Sequence, residues 1–413
     1  MGVHRIASMS RPSTIVVFTG VAFLATPLTA APAIAQSPSA RPASAVVISA
    51  ENSLAIERPD ETMTVPLGEL RARLGTIDPA ALRVRDGASN AEIPSQAVDD
   101  DGDGTIDALI FQSSFFPGET KRFVVERGTP APVAVRRVHV MHDPDRDDIA
   151  WENDRIAHRT YGVGLAKYEP LVSSGIDVWM KSVRTPVLDK WYAKKAPASY
   201  HHDTGEGADF FDVGATLGAG GVAIWKNDSL YRPPNFTSWR IIADGPVRVI
   251  FEMQHPEFDA GGTKVAVTRR ISLDAGQNLS RAVTTFRFAG SAPLPYVIGL
   301  VKRAGVVGSE SSAQQWSWLS EWGPVDHKNG GHGELGTAVL IPRAELRDWK
   351  ETSDHYVAVS EAKPGQPVVE YLGAGWTGSG DFSGVHDWWQ YLDQAAARIA
   401  TPVRLTLGAP SNR

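Results

Sequence analysis

The chain has 413 residues, with 41 Lys and Arg against 47 Asp and Glu and a formal charge of -6. That balance supplies no basic stripe for nucleic acid and argues against simple attraction to acidic polymers. Cysteine is absent, which excludes disulfides, thiolate metal sites and a cysteine nucleophile, so the fold must rest on its core.

The N-terminus carries His4, Arg5 and Arg11, then the apolar run Ile15 to Ala25, then the small-residue triplet Ala33-Ile34-Ala35. This order predicts a secretory signal peptide over residues 1–35, cleaved after Ala35. The Ser/Pro/Ala-rich stretch 36–44 reads as a disordered linker. No other run is long and apolar enough to span a bilayer, so a soluble chain, periplasmic or secreted after processing, is expected. About 375 residues then remain, a length that argues for two domains.

Between Ala45 and Glu126 the runs SAVVISA, TMTVPL, ALRVRD, ALIFQSSF and TKRFVVE alternate apolar and polar residues and end in Asp, Asn, Gly or Pro. They predict a small antiparallel β-sandwich over residues 45–130. Within it lies DDDGDGTID. Asp99, Asp101, Asp103 and Asp107 occupy the first, third, fifth and ninth positions of a calcium loop, with Gly104 at the sharp turn and Thr105 offering its carbonyl. The twelfth position is Ile110 rather than Glu, so a structural calcium ion and a solvated acidic hairpin turn both fit.

RGTPAPVAV (Arg127 to Val135) is Pro-rich, without a strand period, and reads as a connector. From residue 136 to 413 the strand pattern resumes on a larger scale: VAIWKN, WRIIADGPVRVIFEMQ, KVAVTRRISLDAG, LSRAVTTFRF, YVIGLV, GTAVLIP, HYVAVSE, VVEYLGAGW and VRLTLG. Helical periodicity is convincing only in HDWWQYLDQAAARIA, His386 to Ala400. The expected fold class is all-β, a small N-terminal sandwich followed by a much larger one with a single C-terminal helix. No fixed repeat length points to a propeller.

The segments SQAVDDDGDGTIDALIFQ, WENDRIAHRTYG, YHHDTGEGADFFDVGATLGAGGVAIW and RIIADGPVRVIFE together resemble the secreted bacterial family DUF4861, over nearly the whole mature chain. The resemblance implies a galactose-mutarotase-like supersandwich for the larger domain and a setting of acidic-glycan breakdown. Fold alone does not name a reaction. The histidine motif of aldose epimerases is not seen here, which weighs against simple mutarotation.

YHHDTGEGADFFD (residues 200–212) concentrates imidazole, carboxylate and glycine as no ordinary strand does. A lyase acting on uronate-containing sugars needs a base, a group that neutralises the enolate, and a proton donor. His201 and His202 are candidate bases, Tyr161 a candidate donor, and Arg155 with Asn153 could hold the carboxylate; His158 and Arg159 lie in the same segment. If the histidines are extended, only one can face a cleft. Asp203, Glu206 and Asp209 are candidate ligand contacts, although with Asp212 they could merely cap the turns at Gly205 and Gly207. His201 or His202 with Asp203 and Asp209 would also suit zinc or calcium, although the spacing matches no recognised zinc signature.

Twelve tryptophans are many for this length. Trp179, Trp191 and Trp376, with Lys181, are expected to wall the site, because indole faces stack on sugar rings. Packing is the competing role for each. Trp225 and Trp239 lie in alternating strands and are expected in the core. A glycosidase would need two facing carboxylates about 5 to 9.5 Å apart, which the sequence does not single out. The leading expectation is a lyase on acidic oligosaccharides; an epimerase of uronic sugars and a sugar-binding protein without chemistry are the alternatives. No organic cofactor is implied.

Overall fold

The computed structural model of the chain describes residues 44–168, 173–194, 199–325 and 331–408. The expected signal peptide and nearly all of the expected linker lie outside them. Among the described residues no helix is long and apolar enough to cross a membrane.

Alternation builds the small sandwich as expected. Strands Ala45–Glu51, Thr120–Arg127, Leu82–Asp86 and Glu92–Ile93 form one antiparallel sheet. Strands Arg58–Pro66, Ala108–Phe115 and Ser95–Val98 form the other. In AVVISAE every second residue is buried, so Val46, Ile48 and Ala50 face the core, where Phe111 meets Phe123 edge-on with ring centroids 4.9 Å apart. One strand arrives from elsewhere. Arg404–Leu407, expected with the large sandwich, pairs with Ala45–Glu51 and places Leu405 and Leu407 against this core.

The large sandwich rests on an eight-stranded antiparallel sheet, from Ser238–Asp244 through Arg248–Asp259, Lys264–Asp274, Leu279–Phe288, Pro367–Trp376, Glu334–Pro342 and Trp316–Pro324 to Val307–Ser311. Along Lys264–Asp274 the residues Val265, Val267, Ile271 and Leu273 point inward. Opposite them lie two five-stranded sheets. One carries Ala219–Lys226, Leu294–Val301 and His355–Ala362; the other runs Gly207–Ala208, Asp177–Lys181, Ile156–Tyr161, Asp148–Asn153, Val138–Asp143. WENDRIAHRTYG is therefore a strand, a tight turn and a second strand.

Helix Val385–Ala400 forms where its period placed it, burying Trp388, Leu392, Ala395 and Ala396. Two short helices, Leu67–Leu74 and Leu188–Tyr192, went unread. The core expectation for Trp239 is corrected: it is 39 % exposed, on the outer edge strand, and stacks on His142 with centroids 4.1 Å apart. Trp225 is only partly buried.

Candidate active site

The sheet containing Ile156–Tyr161 is covered on both sides. Val140, Ile149, Trp151 and Ile176 face the eight-stranded sheet. The other face carries Asp148, Glu152, Arg159, Asp177 and Lys181, each no more than 3 % exposed. Buried charges are tolerated only when paired or hydrogen-bonded. The cover on this polar face comes from Val187, Leu188, Trp191 and Tyr200, packed on Ala150, Ala157 and Trp179.

At its centre Arg159 Nε donates to Asp148 Oδ2 at 2.5 Å, and Tyr192 donates to the other oxygen of that carboxylate at 2.9 Å. Tyr161 and the Trp179 indole N–H both donate to Asp177 Oδ2, at 3.0 and 3.1 Å. The Arg159 guanidinium lies 4.8 Å from the Tyr161 ring centroid and 5.9 Å from those of Trp179 and Tyr200. Burial pushes the Asp177 carboxyl up to about 6, with Arg159, Tyr161 and Trp179 pulling the other way. Burial, then Asp177, raises Tyr161 well above the usual phenol range, so it is neutral at pH 7. Burial opposes the charge on Arg159, but the acidic groups around it, the Asp148 carboxylate among them, outweigh it and the guanidinium stays charged. Its Nη2 is buried with no hydrogen-bond partner among the described residues.

The 200–212 segment is the rim of this centre. Tyr200 stacks on Trp179 at 4.8 Å, and His201, 56 % exposed, lies against Tyr200 at 4.4 Å. His201 Nδ1 sits 3.2 Å from the Asp209 carbonyl and 3.3 Å from its carboxylate. A carbonyl only accepts, so the proton belongs on Nδ1 and the basic nitrogen is Nε2. His202 is exposed. Asp203 is used as a turn cap, accepting from the amides of Gly205 and Gly207 at 2.7 and 2.9 Å, and Glu206 pairs with Lys190 at 2.8 Å. Glycine is required at 207: its φ is +94°, and a Cβ there would lie 2.0 Å from the Met180 carbonyl. A cavity of about 320 Å³, lined by Asp145, Arg146, Leu165 and Tyr168, adjoins this rim, for Arg146 also lies over Tyr192 and Tyr200 at 5.6 and 5.5 Å.

Several expected ligand contacts sit inside the fold instead. Trp179 and Trp191 are fully buried, so neither is an open platform. Trp376 is 6 % exposed and donates to the His332 carbonyl at 2.6 Å. Lys181 is buried against Glu152 at 2.5 Å and the Asn153 carbonyl at 2.6 Å. Asn153 holds the hairpin turn, accepting from the amides of Arg155 and Ile156 and donating to the carbonyls of Asp274 and Gln277. Arg155 pairs with Asp381 at 2.5 Å, which Arg184 shares. His158 is fully buried on Trp151, its Nδ1 3.1 Å from the Asp177 carbonyl, and burial lowers it to about 4. A histidine neutral across physiological pH is a poor proton shuttle.

Asp148, Asp177, Tyr192 and Tyr200 were not singled out. A lone carboxylate inside the apolar run GIDVWM was the available signal for Asp177.

In the acidic loop, ligand atoms of Asp99, Asp101 and Asp107 all lie within 4.8 Å of one another. Hard carboxylate oxygens so grouped suit calcium. Asp103 turns toward the Thr105 amide at 2.7 Å, and the loop packs on the outer face of the eight-stranded sheet, where Arg248 reaches Asp100 at 3.0 Å.

The model of the family described as domain of unknown function (DUF4861) matches residues 50–405. The chain belongs to this family. It is 31 % identical over 382 residues to an uncharacterized protein, P7, of Formosa agariphila, covering 87 % of this chain and 93 % of that one. Among solved structures, a protein in glycosyl hydrolase family 38 from Enterococcus faecalis aligns over 90 % of this chain with TM-score 0.50 at 10 % identity. An α-mannosidase from the same species aligns with TM-score 0.49 at 9 % identity over 90 % of this chain and 47 % of its own. The chain spans about half the length of these structures, 48 % of the first. That likeness is one of fold.

Proposed function

We propose that this DUF4861 member is an exported carbohydrate-active protein that cleaves uronate-containing oligosaccharides by elimination. The observation that carries the reading is a neutral phenol, Tyr161, beside the buried guanidinium of Arg159, whose Nη2 has no partner among the described residues, with Tyr200 linking that guanidinium to a histidine, His201, whose Nδ1 is turned to Asp209. His201 Nε2 takes the proton next to the sugar carboxylate. Arg159 steadies the charge that builds on that carboxylate. Tyr161 gives its proton to the leaving oxygen as the carbon–oxygen bond breaks, a carbon–carbon double bond forms, and Asp177 accepts a hydrogen bond from the phenol before transfer. The shared fold with a protein of a glycosyl hydrolase family supports the carbohydrate setting.

The acidic loop is proposed to bind a structural calcium ion through Asp99, Asp101 and Asp107, which would neutralise carboxylates otherwise in mutual repulsion.

The test of the elimination reading is incubation with a panel of uronate oligosaccharides, followed by ultraviolet absorbance and product mass. New absorbance from a conjugated double bond without gain of water is expected. Products heavier by one water would overturn elimination in favour of hydrolysis.

A further inference from the structure

A second cleft, of about 300 Å³, opens where the small sandwich, the outer face of the eight-stranded sheet and the C-terminal helix meet. Each of these elements contributes a regular row of side chains. Ser272, Arg281 and Tyr371 are direct cross-strand partners, so they stand side by side on one face. Thr62 and Thr64, two apart on their strand, face them from the small sandwich, and Tyr391, Ala395 and Arg398 form a single stripe of the helix.

The three arginines of the cleft are not equivalent. Arg248 is already held by three charged hydrogen bonds, to both oxygens of Asp274 at 2.5 and 2.9 Å and to Asp100 at 3.0 Å. Among the described residues Arg281 has only a 3.9 Å ion pair with Asp100, at 34 % side-chain exposure. Arg398, its side chain only 8 % exposed, stands 3.9 Å from Glu61 and hydrogen-bonds Tyr391. Two guanidiniums with donors to spare, next to hydroxyls, suit a ligand that is both anionic and polyhydroxylated. The volume lies at the small end of ligand pockets, which are about 300 to 1,000 Å³. The cleft is separate from His201. Asn153, at the turn before Ile156, bonds the Gln277 carbonyl behind the cleft, whereas Tyr161 lies at the far end of that strand, roughly 17 Å away at strand rise.

We propose that this cleft binds a small carboxylate-bearing sugar, its acid group on Arg281 and Arg398 and its hydroxyls on Ser272, Thr64 and Tyr371. It rests on the carbohydrate reading for the sugar scaffold only, and not on the elimination chemistry. A ligand there bridges both sandwiches and the helix, so its binding stabilises the whole chain.

The experiment is calorimetric titration and thermal shift of the full chain with galacturonate and glucuronate, glucose serving as the neutral control. A uronate should bind and raise the Tm while glucose does neither. Arg281→Gln should weaken binding at least tenfold, and Tyr371→Phe, which removes one hydroxyl and keeps the ring, several-fold. His201→Ala should leave this binding unchanged. Equal uronate binding in wild type, Arg281→Gln and Tyr371→Phe overturns the proposal, as does no uronate binding or equal binding of glucose. Binding lost only in His201→Ala overturns this site and leaves the elimination reading standing; uronate held by Arg281 in a protein without elimination activity does the reverse.

Discussion

Replacing His158 by Gln tests whether the imidazole beneath the site is a neutral packing residue. Burial holds His158 near 4 against an ordinary value of 6.5. The sign follows from where protons bind. The unfolded chain takes up a proton near 6.5 that the folded chain refuses, so the stability is fully present above 6.5 and is lost as pH falls toward 4. Between pH 7 and pH 5 this single group should lower the unfolding free energy by about 2 kcal/mol. Raised carboxyls such as Asp177 work in the opposite direction, gaining stability as pH falls through about 6. They are common to both proteins and cancel in the comparison. Urea unfolding of wild type and His158→Gln at the two pH values supplies the assay. The wild type should lose about 2 kcal/mol more than the variant on acidification. An offset between the two that is the same at both pH values would refute the reasoning, and His255, also buried and lowered to about 4, provides an independent repeat.

His201→Ala and Tyr161→Phe should each reduce turnover on a uronate oligosaccharide by about a hundredfold or more with the fold intact, while His202→Ala should change it little; near wild-type rates in the first two would sink the acid-base assignment. Lys181→Ala strands the Glu152 carboxylate in the interior and should cost about 3–5 kcal/mol in chemical denaturation, whereas an exposed ligand contact would cost almost nothing. Trp179→Ala and Trp191→Ala should likewise lose about 3–5 kcal/mol as buried aromatics, read by the same denaturation. Chelation should lower the Tm of the wild type and not that of Asp101→Ala; identical melting with chelator and with excess calcium counts against a bound ion.

The strands of AVVISAE or KVAVTRRISLD were legible because one face of each meets a core and the other meets water or a looser layer, leaving a period of two. Asp148–Asn153 and Ile156–Tyr161 left no such mark, since every residue in both is buried. With protein on both sides the alternation is not apolar against polar but one core against a network of paired charges. Glu152, Arg159 and Lys181 therefore read as a solvated or ligand-binding segment. The same arrangement explains the tryptophans: Trp179, on the strand Asp177–Lys181, and Trp191, in the short helix Leu188–Tyr192, face each other between that sheet and its cover, and a helix of five residues announces no period. The histidine and glycine density of 200–212 did mark the rim, through conformational demands such as that at Gly207 that act locally.

The pairing of Arg404–Leu407 with Ala45–Glu51 bears on the order in which the molecule is made. Ala45–Glu51 is made long before Arg404–Leu407, so the sheet they share keeps an open edge until the later strand arrives. The buried guanidinium of Arg58 waits as well, since one of its acceptors is the carbonyl of Thr401. Contacts that close more than three hundred residues of chain form slowly, and an unpaired edge invites pairing with other chains in the interval. A ribosome stalled short of residue 401 would thus hold a small sandwich that is still unfinished, its sheet waiting for a strand more than three hundred residues downstream.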